Sequence, residues 1–144
     1  MKSILLFIAI MICIDGYSQE NVDYKGIDID CLFFGNTAQN KFIINSSKAM
    51  DEIRKLRVSI PQIECGNVPN INFSSKTLIG YIVNVGSCSD PSFQMNFTKE
   101  KGHYYIKVTA KTTGVCRMAF GKTYWMLIDK EEDANLFHFE TEYL

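Results

Sequence analysis

The clearest pattern in the chain is an alternation of apolar and polar residues in its second half. Phe93, Met95 and Phe97 alternate with polar residues, a Lys-Glu-Lys-Gly turn follows at 99–102, and the alternation resumes at 104–110. A period of two on both sides of a turn is typical of a β-hairpin. This segment therefore predicts two antiparallel strands joined by that turn.

Further short apolar runs predict the remaining strands. The run at 77–85 is too apolar to have one face fully in water, so it predicts a central strand. The polar residues 19–30 predict a loosely held arm or an edge strand. Trp125 lies within an apolar strand, so we expect it in the core rather than in a ligand-stacking site. The other predicted strands lie at 31–34, 41–44, 123–129 and 137–143.

One segment has helical rather than strand periodicity. Ser46 or Ser47 can cap a helix, acidic residues follow early and basic residues late, and Pro61 requires the helix to end before it. Residues 58–70 then predict a loop. The apolar stripe of the helix consists of Ala49, Met50, Ile53 and Leu56.

Length and charge limit the architecture and the partners. A chain of 144 residues with 47% hydrophobic residues predicts a single globular domain. The formal net charge of −1 provides no basic surface for nucleic acid or for an anionic membrane. The expected fold is mainly β with one helix, an antiparallel β sandwich or a partly closed barrel stapled by disulfides.

The first 18 residues resemble a secretory signal peptide. Lys2 precedes an unbroken apolar run at 4–14, which is too short to span a bilayer, and small residues precede Gln19. We expect cleavage near Ser18, no stable membrane anchor, and a single β-rich domain at 19–144. The expected location is secreted or periplasmic.

The cysteine count of the exported part predicts two disulfides. Removing 1–18 removes Cys13 and leaves four cysteines without the C-x-x-C spacing of a metal site, namely Cys31, Cys65, Cys88 and Cys116. If 77–85, 92–99 and 103–111 form an antiparallel meander, Cys88 and Cys116 emerge at the same end of the sheet. This predicts the pairs Cys88–Cys116 and Cys31–Cys65.

No segment carries a recognisable catalytic or metal-binding motif. His103 lies at a hairpin turn and His138 on the polar face of the last strand, so we interpret both as solvated surface residues. The acidic turn at 129–133 lacks the alternating ligands of a calcium loop. Glu140 and Glu142 share a strand face, as a hydrolase carboxylate pair could, but surface charge on a terminal strand explains them more simply. We expect no enzyme, no metal and no cofactor.

One stretch resembles a known family. Ile71-Asn72-Phe73-Ser74, Thr77-Leu78-Ile79-Gly80-Tyr81 and Gly86, preceded by a helix and a Pro-containing loop, resemble the PrcB-like protease-complex subunits. The resemblance covers residues 41–140. It implies a small exported accessory domain that stabilises a secreted protease. The chain departs from the family at Gly86-Ser87-Cys88, where such subunits carry a Gly-Gly-aromatic turn.

These observations predict a non-enzymatic exported binding or accessory domain whose partner is another exported protein. Its loops at one end of the sheet are the candidate binding site, with Gly86, Ser87, Ser89, Asp90 and Arg117 as the residues to test. Two alternatives remain open, a peptidase inhibitor of immunoglobulin-like shape and a small carboxylate-dependent hydrolase. Sequons at Asn45, Asn72 and Asn96 would be used only in a eukaryotic secretory pathway.

Overall fold

The computed structural model describes residues 19–27, 29, 39–55, 69–114 and 116–144. The predicted strand at 31–34 and most of the predicted loop at 58–70 lie outside these residues. The described part forms one helix, α1 (Ser47–Lys55), and a 3-10 turn at Ala134–Leu136. Its strands are β1 (Glu20–Asn21), β2 (Lys25–Gly26), β3 (Lys41–Ile44), β4 (Lys76–Ser87), β5 (Ser92–Glu100), β6 (His103–Lys111), β7 (Met118–Asp129) and β8 (Phe137–Tyr143).

The strands form two sheets that pack face to face. Sheet I has the order β1-β5-β6-β8, and sheet II has the order β2-β7-β4-β3. Alternate apolar residues of β4 and β6 meet in a common core that includes Ile79, Val83, Ile106 and Val108. The fold is therefore the predicted mainly β sandwich with one helix, and its sheets do not close into a barrel.

The predicted hairpin is confirmed as β5 and β6. The two strands pair antiparallel from Ser92↔Lys111 to Glu100↔His103. Lys101 and Gly102 form the turn with φ values of 50° and 84°. Positive φ at both central residues is the geometry that matches the twist of a two-residue hairpin, and glycine adopts it without steric cost.

The predicted meander of 77–85, 92–99 and 103–111 is wrong. β4 belongs to sheet II, between β7 and β3, whereas β5 and β6 belong to sheet I. The chain changes sheets between Ser87 and Ser92. β4 is apolar on both faces because one face lies in the intersheet core and the other carries a second apolar cluster. The apolar sequence of such a strand indicates a central position in a sheet, but it does not indicate which strands flank it.

The second cluster places α1 on the outer face of sheet II. Met50 of α1 packs there with Phe42, Leu78 and Trp125, all of which are buried. The core position predicted for Trp125 is thus confirmed. The Oγ of Ser46 accepts a hydrogen bond of 3.2 Å from the Ala49 N–H, which confirms the predicted N-cap.

Two short edge strands lie within residues 19–27, which is one of the two alternatives predicted for this segment. β1 pairs with β5 at one edge of sheet I, and β2 pairs with β7 at one edge of sheet II. The opposite edges are β8 and β3. Within the described residues, no helix is long and apolar enough to cross a membrane.

Candidate functional site

The predicted Cys88–Cys116 disulfide is present, with a Cα–Cα distance of 4.7 Å. Its geometry differs from the predicted one. Cys88 directly follows β4 and Cys116 shortly precedes β7, and these strands are antiparallel neighbours whose last pair is Ser87↔Met118. The disulfide therefore closes one end of the β4–β7 ladder. Cys31 and Cys65, the other predicted pair, lie outside the described residues.

Hydrogen bonds to Thr113 fix the backbone around this disulfide. The Cys88 N–H donates to the Thr113 carbonyl at 2.7 Å, and the Thr113 N–H donates to Oγ of Ser87 at 3.0 Å. The hydroxyls of Ser89 and Thr113 also share a hydrogen bond. We call residues 86–90, 113–114 and 116–117 the disulfide end. Covalent and hydrogen bonds together hold the segment that follows β6 against the end of β4.

Gly114 allows this close approach. Its φ is +63°, and a Cβ added there would lie 2.7 Å from Sγ of Cys88. Any other residue would be strained in the backbone and would also collide with the disulfide sulfur. Glycine at 114 is thus part of the geometry that lets the disulfide form.

The predicted loop residues divide into two groups. Gly86 and Ser87 are not in a loop, because β4 continues through Ser87. The Ser87 side chain is fully buried and supports Thr113, so it is part of the scaffold. Ser89, Asp90 and Arg117 are exposed and lie within two residues of Cys88 or Cys116 in the sequence.

We expect Ser87→Ala to lower the free energy of unfolding by about 1–2 kcal/mol, because the Thr113 N–H would lose its acceptor. Urea unfolding measures the effect. Ser89→Ala is the matched control, since the Ser89 side chain is exposed and its hydrogen bond goes to the Thr113 hydroxyl and not to a backbone group. Equal losses for the two variants would contradict the structural role of Ser87.

A second group of candidate side chains lies on the outer face of sheet I. His103 on β6 and His138 on β8 are the only histidines of the chain. Nδ1 of His103 and Nε2 of His138 share a hydrogen bond of 3.1 Å, and the ring centroids are 5.2 Å apart. We call these residues the His pair. The prediction that they are surface residues holds, but the sequence did not indicate that they are in contact.

Parallel pairing of β6 with β8 creates the His pair. His138 lies opposite Tyr105 in this pairing, and His103 precedes Tyr105 by two positions on the same face. The Tyr105 ring stacks on His138, with centroids 5.0 Å apart and an angle of 21° between the planes. Tyr105 is 39% exposed, so the group forms an aromatic surface open to water.

Farther along the same two strands, Glu140 and Glu142, the carboxylates of the alternative hydrolase hypothesis, pair with a lysine. Nζ of Lys107 lies 3.0 Å from Glu142 and 3.7 Å from Glu140. The hydrogen bond from Lys107 holds the pKa of Glu142 below its ordinary value, and that to Glu142 raises the pKa of Lys107. A general acid needs a raised pKa, so the shift at Glu142 is opposite to the one that acid catalysis requires.

No family model, curated protein or solved structure matches the chain. Among the described residues, no group of three or more His, Cys, Asp or Glu side chains is arranged to hold a metal ion.

We expect Lys107→Met to raise the pKa of Glu142 towards its ordinary value, because Lys107 is the principal cause of the shift. A lowered carboxyl pKa stabilises the fold above the ordinary pKa, and this contribution is lost as the pH falls through the lowered value. The loss of stability of Lys107→Met relative to wild type should therefore be larger at neutral pH than at strongly acidic pH. Carboxyl NMR titration measures the pKa, with Lys48→Met as the control, and an unshifted Glu142 in Lys107→Met would contradict the assignment.

Proposed function

We propose that this chain is an exported, non-enzymatic binding domain that acts as an accessory subunit of another exported protein. The observation that carries the proposal is the construction of the disulfide end. A disulfide and the hydrogen bonds of Thr113 fix its backbone, while Ser89, Asp90 and Arg117 remain exposed.

A fixed backbone with exposed polar side chains favours protein recognition. Binding costs less conformational entropy when the contacting segments are already ordered. Asp90 and Arg117 provide charges of opposite sign at this surface, and an arginine at the centre of an interface commonly contributes much of the binding energy. Loops on a rigid scaffold are also where binding residues concentrate.

Export is supported by the disulfide, because such bonds persist mainly in secreted and periplasmic proteins. The signal-like segment at 1–18 supports the same location. We expect the full chain, expressed in a diderm bacterium, to be recovered from the periplasm or medium with Gln19 as its first residue. Intact-mass measurement tests this, and a product that retains residues 1–18 would contradict the export signal.

The resemblance of residues 41–140 to PrcB-like subunits supports a secreted protease as the partner. An accessory subunit needs no catalytic group of its own, which agrees with the lowered pKa of Glu142 and its pairing with Lys107. The proposal therefore places the catalytic groups in the partner and the binding surface in this chain.

Crosslinking in the native periplasm or medium, followed by recovery of the chain, tests the binding function. We expect Arg117→Ala and Asp90→Ala each to recover at least tenfold less of the partner protein than the wild-type chain recovers. Lys48→Ala is the matched control, because Lys48 is exposed on α1. Loss of capture in all three variants, or in none, would contradict binding through the disulfide end.

The same purified chain distinguishes an accessory subunit from an inhibitor. An accessory subunit should increase the thermal stability or the yield of active captured protease, whereas an inhibitor should decrease its activity at stoichiometric concentration. If the activity of the captured protease falls in proportion to the added chain, the chain is an inhibitor and not an accessory subunit.

A further inference from the structure

We propose that His103 and His138 together bind one divalent ion of a late first-row transition metal, with copper(II) bound more tightly than zinc. The site lies on the outer face of sheet I. It is separate from the disulfide end and does not depend on the function proposed for that surface.

The distance between the two ring nitrogens carries the proposal. Zinc–nitrogen bonds are about 2.0–2.1 Å long, so two nitrogens on one ion are separated by about 2.9 Å at a right angle and about 3.3 Å at the tetrahedral angle. Nδ1 of His103 and Nε2 of His138 are 3.1 Å apart, within this interval. The two nitrogens share a hydrogen bond at this distance, and an ion that replaces the shared proton would meet the separation that adjacent ligands require.

The fold holds this separation before any ion arrives. Both histidines belong to strands, and β6 and β8 pair in register from Tyr104↔Phe137 to Ala110↔Tyr143. Tyr105 stacks on His138 and thereby restricts rotation of its ring. A neighbour that fixes the orientation of a ligating imidazole is a common feature of metal sites in proteins.

The surroundings of the His pair are compatible with a cation. Glu100 lies opposite His103 in the hairpin, and Glu140 follows His138 by two positions on the same face. Lys107, the cation on the neighbouring part of the face, is paired with Glu140 and Glu142. Because no third protein ligand completes the group within the described residues, water would occupy the remaining coordination positions.

Imidazole ligands determine which ions are expected. They suit copper, zinc and nickel, and affinities of nitrogen sites rise to copper(II) and fall again at zinc. Magnesium and calcium prefer oxygen ligands and should not bind here. Tighter binding of copper(II) than of zinc, with no magnesium binding, is therefore part of the proposal.

The experiment titrates the chain, purified without a histidine tag, with copper(II), zinc and magnesium in a non-coordinating buffer. We expect one copper(II) or zinc ion per chain, and at least tenfold weaker binding in His103→Asn and in His138→Gln. Tyr105→Phe is the matched control, because it keeps the stacked ring and should keep the affinity. Nitrogen hyperfine structure from two imidazoles in the copper(II) electron paramagnetic resonance spectrum would identify the ligands.

A second measurement on wild type covers the case in which a histidine variant fails to fold. Diethyl pyrocarbonate modifies accessible imidazoles, and a bound zinc ion should protect His103 and His138 together from modification. Unchanged affinity in either histidine variant, zinc binding no tighter than magnesium binding, or unprotected imidazoles in the presence of zinc would each overturn the proposal.

Discussion

Replacing both Cys88 and Cys116 by alanine is expected to lower the free energy of unfolding by about 2–4 kcal/mol. The disulfide joins residues 28 positions apart, and the chain-entropy account assigns about 3.5 kcal/mol to a loop of that length. In this protein the disulfide closes the end of the β4–β7 ladder, so its loss also releases the segment held by Thr113. Urea unfolding monitored by circular dichroism measures the change.

The single variants provide the control for this prediction. Cys88→Ala and Cys116→Ala should each lose nearly as much as the double variant, because either one breaks the same bond. Additive losses, or a double variant within about 0.5 kcal/mol of wild type, would show that the disulfide contributes little and that each cysteine acts through its packing.

Local elements of the fold could be predicted from the sequence because their signals are local. The β5–β6 hairpin has alternating residues and the Lys101-Gly102 turn, and α1 has its Ser46 cap. In each case the residues that determine the element lie within it or directly beside it. Pattern and turn chemistry are therefore sufficient for these elements.

Strand neighbours could not be predicted in the same way. The apolar run of β4 indicates burial on both faces, but does not say that β7 and β3 flank it and that β5 crosses to the other sheet. The Cys88–Cys116 pair was predicted correctly from an incorrect meander. Both geometries place the end of β4 close to the segment after β6, and this shared feature alone determined the pairing.

In the candidate site, too, local features could be predicted from the sequence and features that depend on strand neighbours could not. Ser89, Asp90 and Arg117 are exposed, as polar residues near a strand end commonly are, whereas the burial of Ser87 depends on how far β4 extends. The His pair depends on β8 lying parallel to β6, although β7 separates them in sequence and lies in the other sheet. Alternation placed His138 on the polar face, but no pattern within one strand could identify its neighbour.

The second large effect is expected at Gly80, where a side chain would displace the only tryptophan. Gly80 pairs with Trp125 across β4 and β7, and a Cβ added at Gly80 would lie within 2.8 Å of three carbons of the indole ring. Trp125 is 5% exposed and packs among buried residues that include Phe42, so its ring has little room to move. We expect Gly80→Ala to lower the free energy of unfolding by about 1–3 kcal/mol through overpacking.

The chain offers both a control and a direct reporter for this prediction. Gly26→Ala is the matched control, because a Cβ at Gly26 meets no atom within 4 Å. Since Trp125 is the sole tryptophan, its fluorescence reports the displacement, and we expect the Gly80→Ala emission to shift to longer wavelength. In a Trp125→Leu background the cost of Gly80→Ala should fall by at least about 1 kcal/mol, because the colliding ring carbons are gone. An equal cost in both backgrounds would mean that Gly80 is required by the backbone of β4 and not by the tryptophan ring that covers it.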